Sequence, residues 1–157
     1  MSLACLYNIR EVFMAALQDV AQCFLYLDNV HEGDGISNLK LQKLVYYAQG
    51  FYSAIFDQPL FQEEISAWTH GPVVPELYHQ YKQNGSNRIP SADHFDIHSL
   101  TKEEFELIEE VFEVFGQFSA WKLRNMTHEE PTWLEHEANA SVIPKSAITD
   151  YFKTRIN

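Results

Sequence analysis

The run from Leu39 to Phe56 constrains this chain more than any other stretch. Its apolar residues fall at Leu41, Leu44, Val45, Ala48, Phe51 or Tyr52, and Ile55. That is the spacing of a helix burying one stripe. Ser37 or Asn38 offers an oxygen to the free amides of the first turn. Asp57-Gln58-Pro59 closes the helix, because the residue before a proline is driven out of helical geometry. Lys40, Lys43, Tyr46, Tyr47 and Gly50 occupy the other faces and predict a surface both basic and aromatic. From Phe61 to Tyr78 the pattern changes from strand-like to helical around the Gly71-Pro72 break. The rest of the chain is expected to pack on this unit.

A chain of 157 residues with 46% hydrophobic and 14% aromatic side chains is predicted to form one compact domain over 1–157. Residues 1–8 are a candidate flexible arm. The formal charge of −11 repels phosphate backbones and disfavours general nucleic-acid binding. A transcriptional regulator would need a local basic patch around Lys40, Lys43 and Lys82. Two separated cysteines, Cys5 and Cys23, form neither a disulfide framework nor a metal knuckle. A cytoplasmic protein with reduced thiols is expected. No apolar run has the length of a bilayer span, and no leader pattern opens the chain, so no membrane association is expected.

Asn8 and Glu11 have capping-box spacing, and the stripe Ile9, Val12, Phe13, Ala16, Val20, Phe24, Leu27 follows. Gly33-Asp34-Gly35 makes a turn. Phe61 to Thr69 reads as a strand, with Phe61, Ile65 and Ala67 on one side and Trp68 on the other. Pro75 starts a helix that Asn84-Gly85 ends. Arg88-Ile89-Pro90 is a candidate second strand beside the first. Thr101 and Glu104 form a capping box, with Leu100 and Phe105 as its hydrophobic staple. The helix that follows buries Phe105, Ile108, Val111, Phe112 and Phe115, carries a row of glutamates, and stops or bends at Gly116. Short helices are expected over Ser119–Thr127, from Pro131 to Ala138, and after Pro144. The expected fold is mainly α: a multi-helix domain with a short strand or hairpin near residues 61–70.

Chemistry-bearing patterns are few. His70, His128, Glu130 and His136 are the candidate ligands of a metal-dependent hydrolase, the alternative functional reading. Zinc-binding helices, however, place histidines at i and i+4, and Thr132 stands there after His128. No serine lies in a nucleophile elbow, and the glycines follow no phosphate-binding pattern. Trp68-Thr69-His70-Gly71-Pro72 and Thr127-His128-Glu129-Glu130-Pro131 read as rigid turns. Beside a Lys/Tyr helix face, they outline a cleft for a polypeptide, since aromatic and cationic side chains are frequent interface anchors. Tyr46 and Tyr47 fit a core role equally well; Tyr52 reads as core.

Leu39 to Gly50, Ala67 to Tyr78 and Thr127 to Pro131 together resemble the Panacea domain. This family includes SocA-like antitoxins and phage-associated GepA-like proteins. The resemblance implies a non-enzymatic antitoxin or prophage-encoded protein that binds and neutralises a cognate protein toxin. It also implies presentation of the toxin to a protease as a proteolytic adaptor, and no cofactor. Lys40, Lys43, Tyr46, Tyr47, Trp68, His70 and Pro72 match the family signature, as partner contacts or as scaffold. Thr132 separates Pro131 from Trp133, where the family pattern leads one to expect a Pro-Trp pair.

Overall fold

The computed structural model describes residues 14–92 and 94–156. The arm at 1–8, Cys5 and the capping box at Asn8 and Glu11 lie outside them. The architecture is mainly α, with α1 (Leu17–Val30), α2 (Asn38–Phe56), α3 (Pro75–Tyr81), α4 (Lys102–Phe115), α5 (Ala120–Thr127), α6 (Pro131–Leu134) and α7 (Lys145–Lys153). A small antiparallel sheet joins β1 (Ile65–Trp68), β2 (Gly71–Val73) and β3 (Val142–Ile143) in the order β2-β1-β3.

Helix α2 runs through the middle of the molecule and is buried on nearly every face. Ser37 caps it by accepting from the Lys40 amide, as its short polar side chain allows. Asp57 ends it in the left-handed region at φ 55°, and its amide returns to the Ser53 carbonyl. The predicted basic and aromatic surface is therefore corrected. Lys40, Lys43, Tyr46, Tyr47 and Gly50 are all buried, because α4, α5, α7 and β2 close around the helix. With Lys40 and Lys43 inside, the two do not form an exposed basic patch with Lys82.

Gly50 marks a close approach of α2 to α7. A Cβ there would lie 2.2 Å from the Phe152 ring of α7. Gly50→Ala is expected to destabilise the protein by about 1–3 kcal/mol through overpacking. Urea denaturation checks this; an unchanged midpoint would show that α7 slides away freely.

Local signals are obeyed elsewhere. Thr101 and Glu104 make both bonds of the capping box, and Ser119 caps α5 through the Lys122 amide. Pro75 occupies the first turn of α3. Most glutamates of α4 are exposed, whereas Glu104 is buried by its role in the cap. Helix α6 ends at Leu134, short of Ala138, and a 3-10 turn at Glu137–Asn139 follows. Arg88-Ile89-Pro90 forms no strand. The Ile89 amide instead bonds to the Ile36 carbonyl, and β1 takes Val142–Ile143 as its second neighbour.

The β1–β2 hairpin pairs Ser66 with Val73, Ala67 with Pro72 and Trp68 with Gly71. Thr69 and His70 keep negative φ, so the positive angle needed to reverse the chain falls on Gly71, at φ 107°. Pro72 is tolerated because β2 is an edge strand. Two side chains of α2 bond to this edge: the Lys43 ammonium donates to the Pro72 carbonyl, and Gln42 accepts from the Val74 amide. One helical repeat further on, Gln49 accepts from the Leu60 amide and donates to the Phe61 carbonyl.

Candidate functional site

The three sequence blocks singled out above meet around the N-terminal half of α2. Tyr46 and Tyr47 donate to opposite oxygens of Glu130, at 2.6 and 2.8 Å, and Arg155 completes the carboxylate at 3.2 Å. With its O–H donated to Glu130, Tyr46 can still accept from Thr132 at 2.6 Å, so the residue between Pro131 and Trp133 is used. Trp133 donates its indole N–H to the Trp68 carbonyl at 2.7 Å, tying the last block to the hairpin. Burial pushes Glu130 above its ordinary carboxylate range, against the opposing pull of both phenols and Arg155. Tyr46 and Tyr47 are pushed up as well, by burial first and Glu130 second. These are fixed, protonated phenols. They act as struts.

Lys43 is 1% exposed and lies directly beneath the hairpin turn, where a Cβ on Gly71 would sit 2.5 Å from its Cε. Burial first, and the nearby Arg124 second, lower its ammonium to about 7. Lys40 sits on the opposite flank and donates to the Gly116 carbonyl at the C-terminal cap of α4, 2.7 Å away. There it meets the negative end of that helix.

The four candidate metal ligands do not assemble. His70 Nδ1 accepts from Arg124, His128 stacks on Trp133 with centroids 3.9 Å apart, Glu130 is held as above, and His136 Nδ1 faces the Thr132 carbonyl. Among the described residues, no group of three or more His, Cys, Asp or Glu side chains converges as a ligand set. The hydrolase alternative loses its geometric basis. Cys23 is buried, and burial with Glu109 pushes its thiol up to about 12, which leaves it unreactive.

A groove of about 670 Å3 opens between α2, the hairpin and α3. Lys43, Trp68, His70 and Gly71 are among its lining residues, with Tyr78 and Lys82 from the α3 side. Trp68 is half-buried and packs edge-on against Tyr78, with centroids 5.2 Å apart. Pro72 is buried behind the wall. On the lip beyond His70 stands Trp121, 56% exposed, with the Arg124 guanidinium 4.3 Å above its ring.

The pair Trp121 and Arg124 escaped the sequence reading. Its signal was present: Leu123 and Thr127 form the buried face of α5, so a tryptophan at 121 has no core role. Among the described residues, no helix is long and apolar enough to cross a membrane.

Comparison with known proteins agrees with the resemblance noted in the sequence. The family model described as "Antitoxin SocA-like, Panacea domain" matches residues 41–134. The chain is 34% identical over 103 residues to the protein named Antitoxin SocA of Caulobacter vibrioides (strain NA1000 / CB15N). The match covers 59% of this chain and 55% of that relative, so the chain spans about half the relative's length. No solved structure matches.

Proposed function

The chain belongs to the SocA-like antitoxin family defined by the Panacea domain, and from that premise we propose that it binds and neutralises a cognate protein toxin by direct contact. It acts in the cytoplasm, transforms no bond itself, and uses the groove beside the hairpin, with its Trp121–Arg124–His70 lip, as the docking face. The observation that carries this reading is the lip. An exposed tryptophan stacked under an arginine, bordering a groove walled by Trp68 and Tyr78, has the composition of an interface hot spot. The buried tyrosines, Lys40 and Pro72 serve as scaffold, holding the hairpin and its neighbours rigid so that little ordering cost attends binding.

Occlusion at nanomolar concentration requires about −12 kcal/mol. The contact area is therefore expected to reach at least about 1,200 Å2, well beyond the groove alone.

Co-expression with the product of the adjacent reading frame tests the proposal. The neighbour is expected to be toxic alone, harmless with this protein, and recovered in complex with it. Trp121→Ala or Arg124→Ala is expected to weaken that complex by about 2 kcal/mol, roughly 30-fold. A neighbour that is harmless alone and never co-purifies overturns the reading. If the neighbour instead disappears when this chain is expressed, and returns in a protease-deficient host, the mode of neutralisation is delivery to a protease.

A further inference from the structure

Basic groups gather under the hairpin turn without an acid among them. Lys43 is buried, and its ammonium, with three protons, meets one acceptor, the Pro72 carbonyl at 2.9 Å. Arg124 gives two of its five N–H donors to neutral acceptors, His70 Nδ1 at 3.3 Å and Asn125 Oδ1 at 2.9 Å. The His128 Nε2 is buried with no partner among the described groups. The four ion pairs among the described residues lie elsewhere, at Arg88–Asp28, Lys102–Glu106, Lys153–Asp57 and Arg155–Glu130.

This is a chain with 22 acidic and 11 basic residues. Carboxylates are abundant, yet none reaches the cluster; Glu130, the buried acid nearest in sequence, is turned toward Tyr46 and Tyr47. Removing a charge from water without a counter-ion is costly, so such a cluster favours an anion supplied from outside. Two of these groups are already held down by burial and their basic neighbours. Burial, then Arg124 and Lys43, lowers His128, as burial and Arg124 lower Lys43. The groove gives an anion its approach, since Lys43, His70 and Lys82 line it together with the rings of Trp68 and Tyr78.

We propose that this groove receives an acidic segment of the partner polypeptide, whose Asp or Glu carboxylate seats among His70, Arg124, Lys82 and Lys43 while an adjacent apolar side chain packs on Trp68 and Tyr78. The inference rests on the partner-binding reading above and specifies its chemistry. A second copy of the chain is disfavoured as occupant, since two bodies each carrying −11 repel. A bare anion would leave the aromatic walls uncovered.

Selection of a displayed random-peptide library on the full chain decides the matter. Binders are expected to carry Asp or Glu at one fixed position next to an apolar residue. For the best peptide, changing that acid to Asn or Gln is expected to weaken binding at least tenfold. Arg124→Gln and Lys82→Gln, shown to melt like the parent, are expected to give similar losses. Selection without an acidic position, no selection at all, or acidic peptides that bind parent and variants equally would overturn the proposal. The two levels separate cleanly. A neighbouring-frame product that is weakened by Trp121→Ala but binds the parent and Lys82→Gln alike sinks the acidic-segment proposal and leaves partner binding standing; one that does not bind the parent sinks both.

Discussion

Glu130→Ala is expected to lower the unfolding free energy by about 3–5 kcal/mol, the range for removing one partner of a buried ionic cluster. Glu130 is 5% exposed and receives Tyr46, Tyr47 and Arg155. Without its carboxylate, two phenols and a guanidinium lose their acceptor inside a packed core, and each unpaired polar group costs about 1–3 kcal/mol. Glu130→Gln keeps the volume and one acceptor oxygen, so its loss should be smaller, about 1–2 kcal/mol. The sign with pH follows from the raised affinity of this carboxyl for its proton. Its contribution favours the fold most below the ordinary carboxylate range and weakens as pH rises through the folded value. Urea denaturation of the two variants at neutral pH measures the difference. An alanine variant within about 1 kcal/mol of the parent would show that the tyrosines find other partners and that the carboxylate does not organise the core.

Glu130 also shows where reading the sequence stops. Helix starts were legible because their causes are local: Ser37, Thr101 with Glu104, and Ser119 each bond within three residues of themselves. The apolar stripe of α2 was legible for the same reason. Its polar faces were not. Lys40, Gln42, Lys43 and Gln49 belong to residue types that usually face water, yet here they are buried on backbone groups far away in the chain. Nothing in a helical period reports that Gly116 will stand beside Lys40, or Pro72 beside Lys43. The third strand failed on length. A pair such as Val142–Ile143 becomes β structure only because β1 is already beside it, whereas Arg88–Pro90 has the composition and lacks the neighbour. The metal reading failed for a related reason: side-chain identity suggested ligands, and packing committed each one to a different partner. Trp121, by contrast, was readable as an aromatic residue off the apolar face of its own helix.

The parent protein is expected to gain about 2 kcal/mol of stability between pH 7 and pH 9, and Lys43→Met to show no such gain. In the unfolded chain the Lys43 amine titrates near 10.5, and in the fold burial and Arg124 hold it at about 7. Between those values the unfolded state binds the extra proton, so stability must rise with pH. At and below neutrality the ammonium is held in the core at a cost of order 5 kcal/mol, the gap between the two affinities. The window closes near pH 9 because other buried groups pull the opposite way above it. Cys23, pushed up to about 12, ionises more readily unfolded than folded, and Tyr46 and Tyr47 do the same at higher pH. His128, lowered by burial and its basic neighbours, has its effect below neutral pH. The methionine variant forfeits the bond to the Pro72 carbonyl, about 1–3 kcal/mol, but sheds the larger penalty of the buried charge. It should therefore be at least as stable as the parent at pH 7. Equal slopes in the two proteins would mean that the Lys43 amine is ionised and compensated in the fold, with an anion already reaching it from within the chain.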